Sequence, residues 1–336
     1  MQRREFITLF GGAATTWPLA ARAQQLAKMK RIAIVFPSAK VSEIRMSGPR
    51  RYRAFFEELS RLNYVEDQNL KVERYSGEGQ PERYAELARR VVNTHPDVIF
   101  ALGASLALDF KMATATIPIV TVVGDPISLG LVESIARPGG NITGITVLAG
   151  SELEGKRIEL LVELMPKLST LNYLASRSFW EDARRTAADA REAAKRAGIL
   201  LRAALLGSTF NEVEYQRVFR SMEQDRADAL MVSEEAEHVT HRATIVELAA
   251  KGQIFTMYPY REFVEVGGLM AYSIDLGDIY RRVANLIDKI FRGANPGDIP
   301  FYQPTKFELS INLRTAKALG LEMPAMLLGR ADEVIE

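Results

Sequence analysis

A short β-branched run followed by an apolar stripe at helical spacing recurs down this chain, halts at a Pro-Gly-Gly-Asn turn, and then starts over. Residues 31–36 (RIAIVF) predict a strand, and 49–62 a helix with Tyr52, Phe55, Phe56, Leu59 and Leu62 on its core-facing side. Strands at 70–74, 97–102 and 117–123 alternate with helices at 81–93, opened by Pro81, and 105–114. The second round brings a helix at 152–165 stopped by Pro166, a strand at 171–175, a helix at 181–197 ended by Gly198, and a strand at 199–205. A helix at 211–222, a strand at 229–232, a helix at 238–251 ended by Gly252, and a strand at 254–256 complete it. Such alternation demands a parallel sheet covered by helices on both faces, so two rounds predict two doubly wound α/β lobes. The 336 residues also exceed what one hydrophobic core usually serves.

The junction lies in 117–148, IPIVTVVGDPISLGLVESIARPGGNITGITVL. Its first run reads as a buried strand that breaks at Gly124-Asp125-Pro126, the end at which open α/β sheets place their ligands. A short helical piece at 129–135 and the stop at Pro138-Gly139-Gly140-Asn141 lead to a second β-branched run, 142–148, which reads as a bridge to the second lobe. Further β-rich runs at 269–274 and 307–313 flank a long helix, 276–291, and a Gly- and Pro-rich loop, 293–303. If each β-rich run crosses between lobes, residues 31–145 with 275–306 make lobe 1, and 146–272 with 307–336 make lobe 2. Three crossings near 142–148, 269–274 and 307–313 form a hinge around a central cleft.

The amino terminus reads as an address. Arg3-Arg4 precede an apolar, small-residue segment, 6–20, and then Ala21-Arg22-Ala23, the pattern that signal peptidases cut after. The segment is too short for a membrane-spanning helix, which needs about 20 residues. Residues 1–23 are therefore expected to be a cleaved export signal leading to the periplasm, and the arginine pair followed by Glu5-Phe6-Ile7 resembles a twin-arginine signal. Composition excludes several chemistries. The chain has no cysteine, so disulfides, thiolate catalysis and Cys-ligated metals are out. A formal net charge of +1 without a basic arm or face gives no reason to expect nucleic acid.

Enzymatic signatures are missing. Phe36-Pro37-Ser38-Ala39 stands where a dinucleotide fold would carry G-x-G-x-x-G, and there is no phosphate loop and no G-x-S-x-G elbow. His238 and His241 share a helix at i, i+3 without a third ligand nearby in sequence, so neither a metal nor a cofactor is expected.

The segments after the strands are the expected cleft walls: Ser38 after the first, Ala104 and Ser105 after the third, Asp125 after the fourth, and in the second lobe Phe179, Trp180, Gly207-Ser208-Thr209, Glu234, Glu235, Tyr258 and Tyr260. Ser105 opens a helix, where its hydroxyl and the free backbone N–H groups either hold a carboxylate or simply cap. Asp125 either binds a ligand ammonium or caps the helix after Pro126. Glu234 and Glu235 offer carboxylates, although acidic residues at a helix start also just suit the dipole. Trp180, in a loop off any periodic face, is the expected stacking residue, with Tyr258, Tyr260 and Tyr272 behind it. The alternative is a tryptophan that packs on a helix. Aromatic rings suit such a site because they bury much area at little entropic cost.

Gly124-Asp125-Pro126, ARPGGNITG (136–144), REFVEVGGLMAY (261–272), QPTKFELSINLRTAKALGL (303–321) and the final RADEVIE together resemble the TrpX-like branch of ABC-importer substrate-binding proteins. The resemblance runs from about Arg31 to Glu336. It implies a type I periplasmic binding fold, a monomer that captures a small solute, an aromatic or other amino acid or small carboxylate, and delivers it to a membrane permease with its ATPase. It tilts Asp125 toward the cleft. Two departures fall in the presumed ligand shell: relatives commonly carry Gly-Thr after the third strand where this chain has Gly103-Ala104-Ser105, and Asn-Pro where it has 176–180, SRSFW. A ligand-sensing subunit for a chemoreceptor or kinase is the second reading of the same features, and a periplasmic enzyme the third.

Overall fold

The protein's computed structural model describes residues 29–147, 151–181, 186–207, 209–225, 227–305 and 307–336. The expected export signal, Ser208 and the end of the 142–148 run lie outside the described residues.

The first sheet comprises β1 (Lys30–Phe36), β2 (Leu70–Ser76), β3 (Val98–Leu102), β4 (Ile119–Val123) and β5 (Ile142–Thr146), ordered β2-β1-β3-β4-β5 and parallel throughout. Helices α1 (Arg50–Arg61), α2 (Tyr84–Val92) and α3 (Ala104–Ala113) connect its strands. Strand alternation feeds both faces: Ile32, Ile34 and Phe36 join the core beneath α1, while Ala33 and Val35 join the one beneath α2 and α3. Gly144, central in β5, is required by packing, because a Cβ there would sit 2.0 Å from the Thr121 carbonyl oxygen of β4.

The second lobe contains α4 (Ser151–Leu164), β6 (Thr170–Ser176), α5 (Arg177–Glu181), α6 (Thr186–Arg196), β7 (Leu200–Leu206), α7 (Glu212–Asp225) and β8 (Ala229–Val232). It continues through α8 (Ala236–Thr240), α9 (Arg242–Lys251), β9 (Phe255–Tyr258), α10 (Arg261–Val264) and β10 (Met270–Ser273). The chain then returns to the first lobe as α11 (Leu276–Phe291), which packs along α1 and covers β3, β4 and β5. It comes back as β11 (Glu308–Asn312), α12 (Leu313–Ala318), α13 (Ala325–Arg330) and β12 (Glu333–Ile335). The second sheet runs β12-β11-β10-β9-β8-β6-β7, so its β7-β6-β8-β9-β10 portion repeats the strand order of the first.

The lobes are therefore two parallel-sheet α/β units with one antiparallel pair, β10 with β11. The detour explains it. Strand β10 ends at the edge facing lobe 1, α11 is built there, and the returning chain enters the sheet from that same edge and must run the other way. The chain changes sheets just after β5, between β10 and α11, and between Tyr302, bridged to Ile145, and β11. At the second of these points Asp275 caps α11 by accepting from Gly277 N at 2.7 Å and pairs with Arg50 of α1 at 3.2 Å.

Local expectations differ at several points, one being the helix expected at 238–251, which breaks at His241 into α8 and α9 and so does not carry both histidines. Residues 129–135 form turns rather than a helix: Leu129, Leu131 and Val132 are buried as anchors of an irregular segment, with Gly130 at φ +68°. Pro81 opens a 3₁₀ turn, Pro81–Arg83, and the α-helix begins at Tyr84.

Candidate functional site

The carboxyl ends of both sheets face one another across a cavity of about 170 Å³, close to the roughly 150 Å³ that admits a benzene ring. Its position follows from strand order. In lobe 1 the connections leave in opposite directions between β1 and β3, and in lobe 2 between β6 and β8, and ligands bind at such switch points. The first wall carries Pro37, the Gly103-Ala104-Ser105 segment, Gly124 and Asp125. The second carries Ser176, Phe179, Tyr260 and the stretch after β8 from Glu234 to Thr240, and Tyr52, Tyr280 and Phe36 form an aromatic floor. Phe36 stacks on Tyr52 at 5.4 Å, and Tyr280 meets both rings edge-on.

The lobes are closed on each other. Ser38 Oγ donates to Thr240 Oγ1 across the cleft at 3.0 Å, and Tyr84 OH reaches Glu237 Oε1 at 3.3 Å.

Of the expected site residues, Ala104, Ser105, Asp125, Phe179, Glu234, Glu235 and Tyr260 come together on the cavity walls. Gly103, at φ +90° and ψ 158°, is the N-cap of α3 and makes no side-chain cap, so Ser105 is free of a capping role and stands exposed beside the first-turn N–H groups. Asp125 is tied to its own turn, accepting from Ile127 N at 2.9 Å and from the Ser128 hydroxyl. Glu234 accepts from Arg157 Nη1 at 3.1 Å, and its backbone oxygen accepts from Tyr260 OH at 3.2 Å. Arg157 is a fully buried strut on α4: it also donates to Glu154 at 2.5 Å, to the Tyr272 carbonyl at 3.0 Å and to the Pro259 carbonyl at 3.3 Å. Glu235 locks β6 to β8, accepting from Ser176 N, Ser176 Oγ and Ser233 Oγ at 2.9, 2.6 and 2.8 Å. Burial alone would raise its carboxyl, but His238 and these bonds outweigh it and hold it below the ordinary value.

The remaining candidates stand off the cavity walls. Ser38 is at the lobe contact just described. Trp180 lies on α5, not in a loop. Consecutive helical residues diverge, so Phe179 turns to the cavity while Trp180 packs on Tyr173, ring centroids 5.8 Å apart, under the Arg191 guanidinium at 4.7 Å. Tyr258 is buried and stacked on Phe263, and Tyr272 stacks on Phe307 in the second sheet. His238, fully buried, shares a 2.7 Å hydrogen bond with Tyr215 OH. Among the described residues no cluster of three or more His, Asp or Glu side chains is arranged to hold a metal.

Sequence reading missed Arg51 and Tyr84 and took Tyr52 as core alone. Arg51, 3 % exposed, lines the cavity, donates Nη2 to Tyr52 OH at 3.0 Å, and lies 4.4 Å over the Tyr52 ring. A signal existed: Arg50, Arg51 and Arg53 crowd the start of a helix, where the macrodipole disfavours cations.

The family model for ABC transporter substrate binding proteins matches residues 47–335. The chain belongs to that family. This substrate-binding protein is 25% identical over 274 residues to a tyrosine-binding protein of Clostridioides difficile, a match covering 80% of this chain and 76% of the other. It is similar to the solved structure of an ABC domain in complex with L-Trp from Streptococcus pneumoniae (TM-score 0.77, 23% identity, 91% and 99% of the two chains). It is also similar to a conserved domain protein from Vibrio cholerae (TM-score 0.79, 21% identity, 91% and 100%). The substrate-binding protein thus has the type I periplasmic binding fold, and among its described residues no helix is long and apolar enough to cross a membrane.

Proposed function

We propose that the protein is the extracytoplasmic solute receptor of an ABC importer. It takes a small ring-bearing carboxylate, an aromatic amino acid or acid, between its lobes, closes on it by rotation about the three crossing segments, and presents the closed form to a permease. The observation that carries this reading is the ring-sized cavity walled by both lobes, because a ligand touching both walls binds the closed form better than the open one. The aromatic floor supplies area for a ring, and the first turn of α3, with its exposed Ser105, supplies donors for an anion. The tyrosine-binding relative and the L-Trp complex support the ligand class. Export through the twin-arginine-like leader belongs to the same proposal.

The test is a thermal-shift screen of the mature chain, begun at Gln24, against aromatic amino acids, aromatic acids and aliphatic controls. A true ligand at a hundred times its Kd adds about 2.7 kcal/mol of stability and raises Tm visibly. If the folded protein stays silent to every aromatic compound, the ligand class is wrong.

A further inference from the structure

We propose that Arg51 is the carboxylate anchor of the cleft, so that the ligand's acid group points to the α1 and α11 end of the cavity. The assignment rests on the receptor reading above and narrows it to one side chain.

Three observations carry it. Arg51 is nine-tenths buried and more, it lines the cavity, and its Nη1 has no hydrogen-bond partner among the described residues. A buried guanidinium with one arm unused is costly unless something binds it. The other arm is fixed by Tyr52, whose hydroxyl accepts from Nη2 and whose ring lies under the guanidinium, so the fork is held in place before a ligand arrives. Finally, the carboxylates on the same walls already have partners: Asp125 its own turn, Glu234 Arg157, Glu235 Ser176 and Ser233, Glu237 Tyr84. An arriving anion meets a cation with a vacant donor, and a guanidinium matches a carboxylate with two parallel bonds.

The charges around Arg51 point the same way. Burial works against its charge, yet a guanidinium stays protonated, and the Tyr52 hydroxyl accepts from it. Glu262, on α10 of the opposite lobe, is a poor counter-ion, since burial raises its carboxyl above the ordinary value. Arg242, also in lobe 2, is depressed by burial and then by Arg51 itself. Closure therefore brings two cations toward each other, and a carboxylate seated on Arg51 offsets that repulsion.

The experiment compares acids with their primary amides, which keep the ring and lose the charge: L-tyrosine with L-tyrosinamide, L-tryptophan with L-tryptophanamide, and 4-hydroxyphenylacetate with its amide. Dissociation constants are read by calorimetry on the wild-type protein, Arg51→Met and Arg51→Lys, with thermal unfolding of each unliganded variant as the folding control. The wild-type protein should favour acid over amide, and Arg51→Met should shrink that preference by roughly tenfold or more while changing amide binding little. Arg51→Lys, which keeps a charge but not the fork, should fall between, and it decides the matter should Arg51→Met not fold. An acid-to-amide preference unchanged in the variants overturns the assignment and leaves the receptor reading standing; the first turn of α3 would then hold the carboxylate. Binding of no aromatic acid by the folded wild-type protein overturns both.

Discussion

Glu73, on β2 away from the cavity, gathers four donors. Arg31 Nη2 reaches it at 2.7 Å, Lys71 Nζ at 2.9 Å, Thr94 Oγ1 at 2.9 Å and Tyr75 OH at 3.1 Å. Burial pushes its carboxyl up, but the four donors outweigh burial and pull it from 4.5 to about 2. A folded-state value below the unfolded one stabilises above about pH 4.5 and loses that contribution as pH falls toward 2. Glu73→Gln should therefore cost roughly 1 kcal/mol at neutral pH, and the gap to wild type should narrow steadily below about pH 4.5 to a small remainder near pH 2.5, as read from urea midpoints across that range. A constant gap would mean that shape, not charge, matters there. Roles in the cleft are harder to read from the residues. Nothing in the order Asp125-Pro126-Ile127-Ser128 separates a ligand carboxylate from an Asx turn, and Trp180 looked free only because the one-turn helix α5 has too few residues to show a period. Arg51 hid beside an aromatic stripe that fully explained its helix, leaving the misplaced charge as its one mark.

At the scale of elements, β4 and β5 approach so closely that position 144 admits no side chain. Gly144→Ala would drive a methyl into the Thr121 carbonyl and should cost at least roughly 2 kcal/mol, seen as a Tm several degrees lower. Gly155→Ala in α4 is the control: nothing lies within 4 Å of its added Cβ, and alanine favours the helix, so Tm should hold or rise. An equal loss in both would show that any change at glycine is harmful and that the strand contact is not special. Elements of this kind were readable because β1, β3, β4 and β8 are buried on both faces and so are continuous apolar runs, and α1 and α11 have a clear apolar side. The segment 129–135 was misread because three buried anchors at 129, 131 and 132 look like one face of a helix, and only the fold shows that they point into the core from turns. The antiparallel β11 could not be read from its residues, since direction depends on where α11 had taken the chain.

At the scale of the molecule, closure should be controllable by one covalent link. Ser38 and Thr240 touch across the cleft with oxygens 3.0 Å apart, and the chain has no cysteine to interfere. In the double variant Ser38→Cys with Thr240→Cys, oxidation should trap a bound ligand and exclude a free one, and a reductant should restore exchange. Dialysis of the oxidised protein against buffer with and without reductant reads this. Equal release rates with the disulfide formed would mean that ligand enters without the lobes parting. The placement of α11 also sets the order in which the protein can be made. The sheet of the first lobe is complete once Thr146 has been synthesised, but the helix that roofs one of its faces ends only at Phe291. At ordinary ribosomal speeds that interval is on the order of ten seconds. Through it the nascent lobe carries an apolar face that α1 covers only in part, bare over β3, β4 and β5, so the amino-terminal half is the part of this chain most in need of a chaperone's hold.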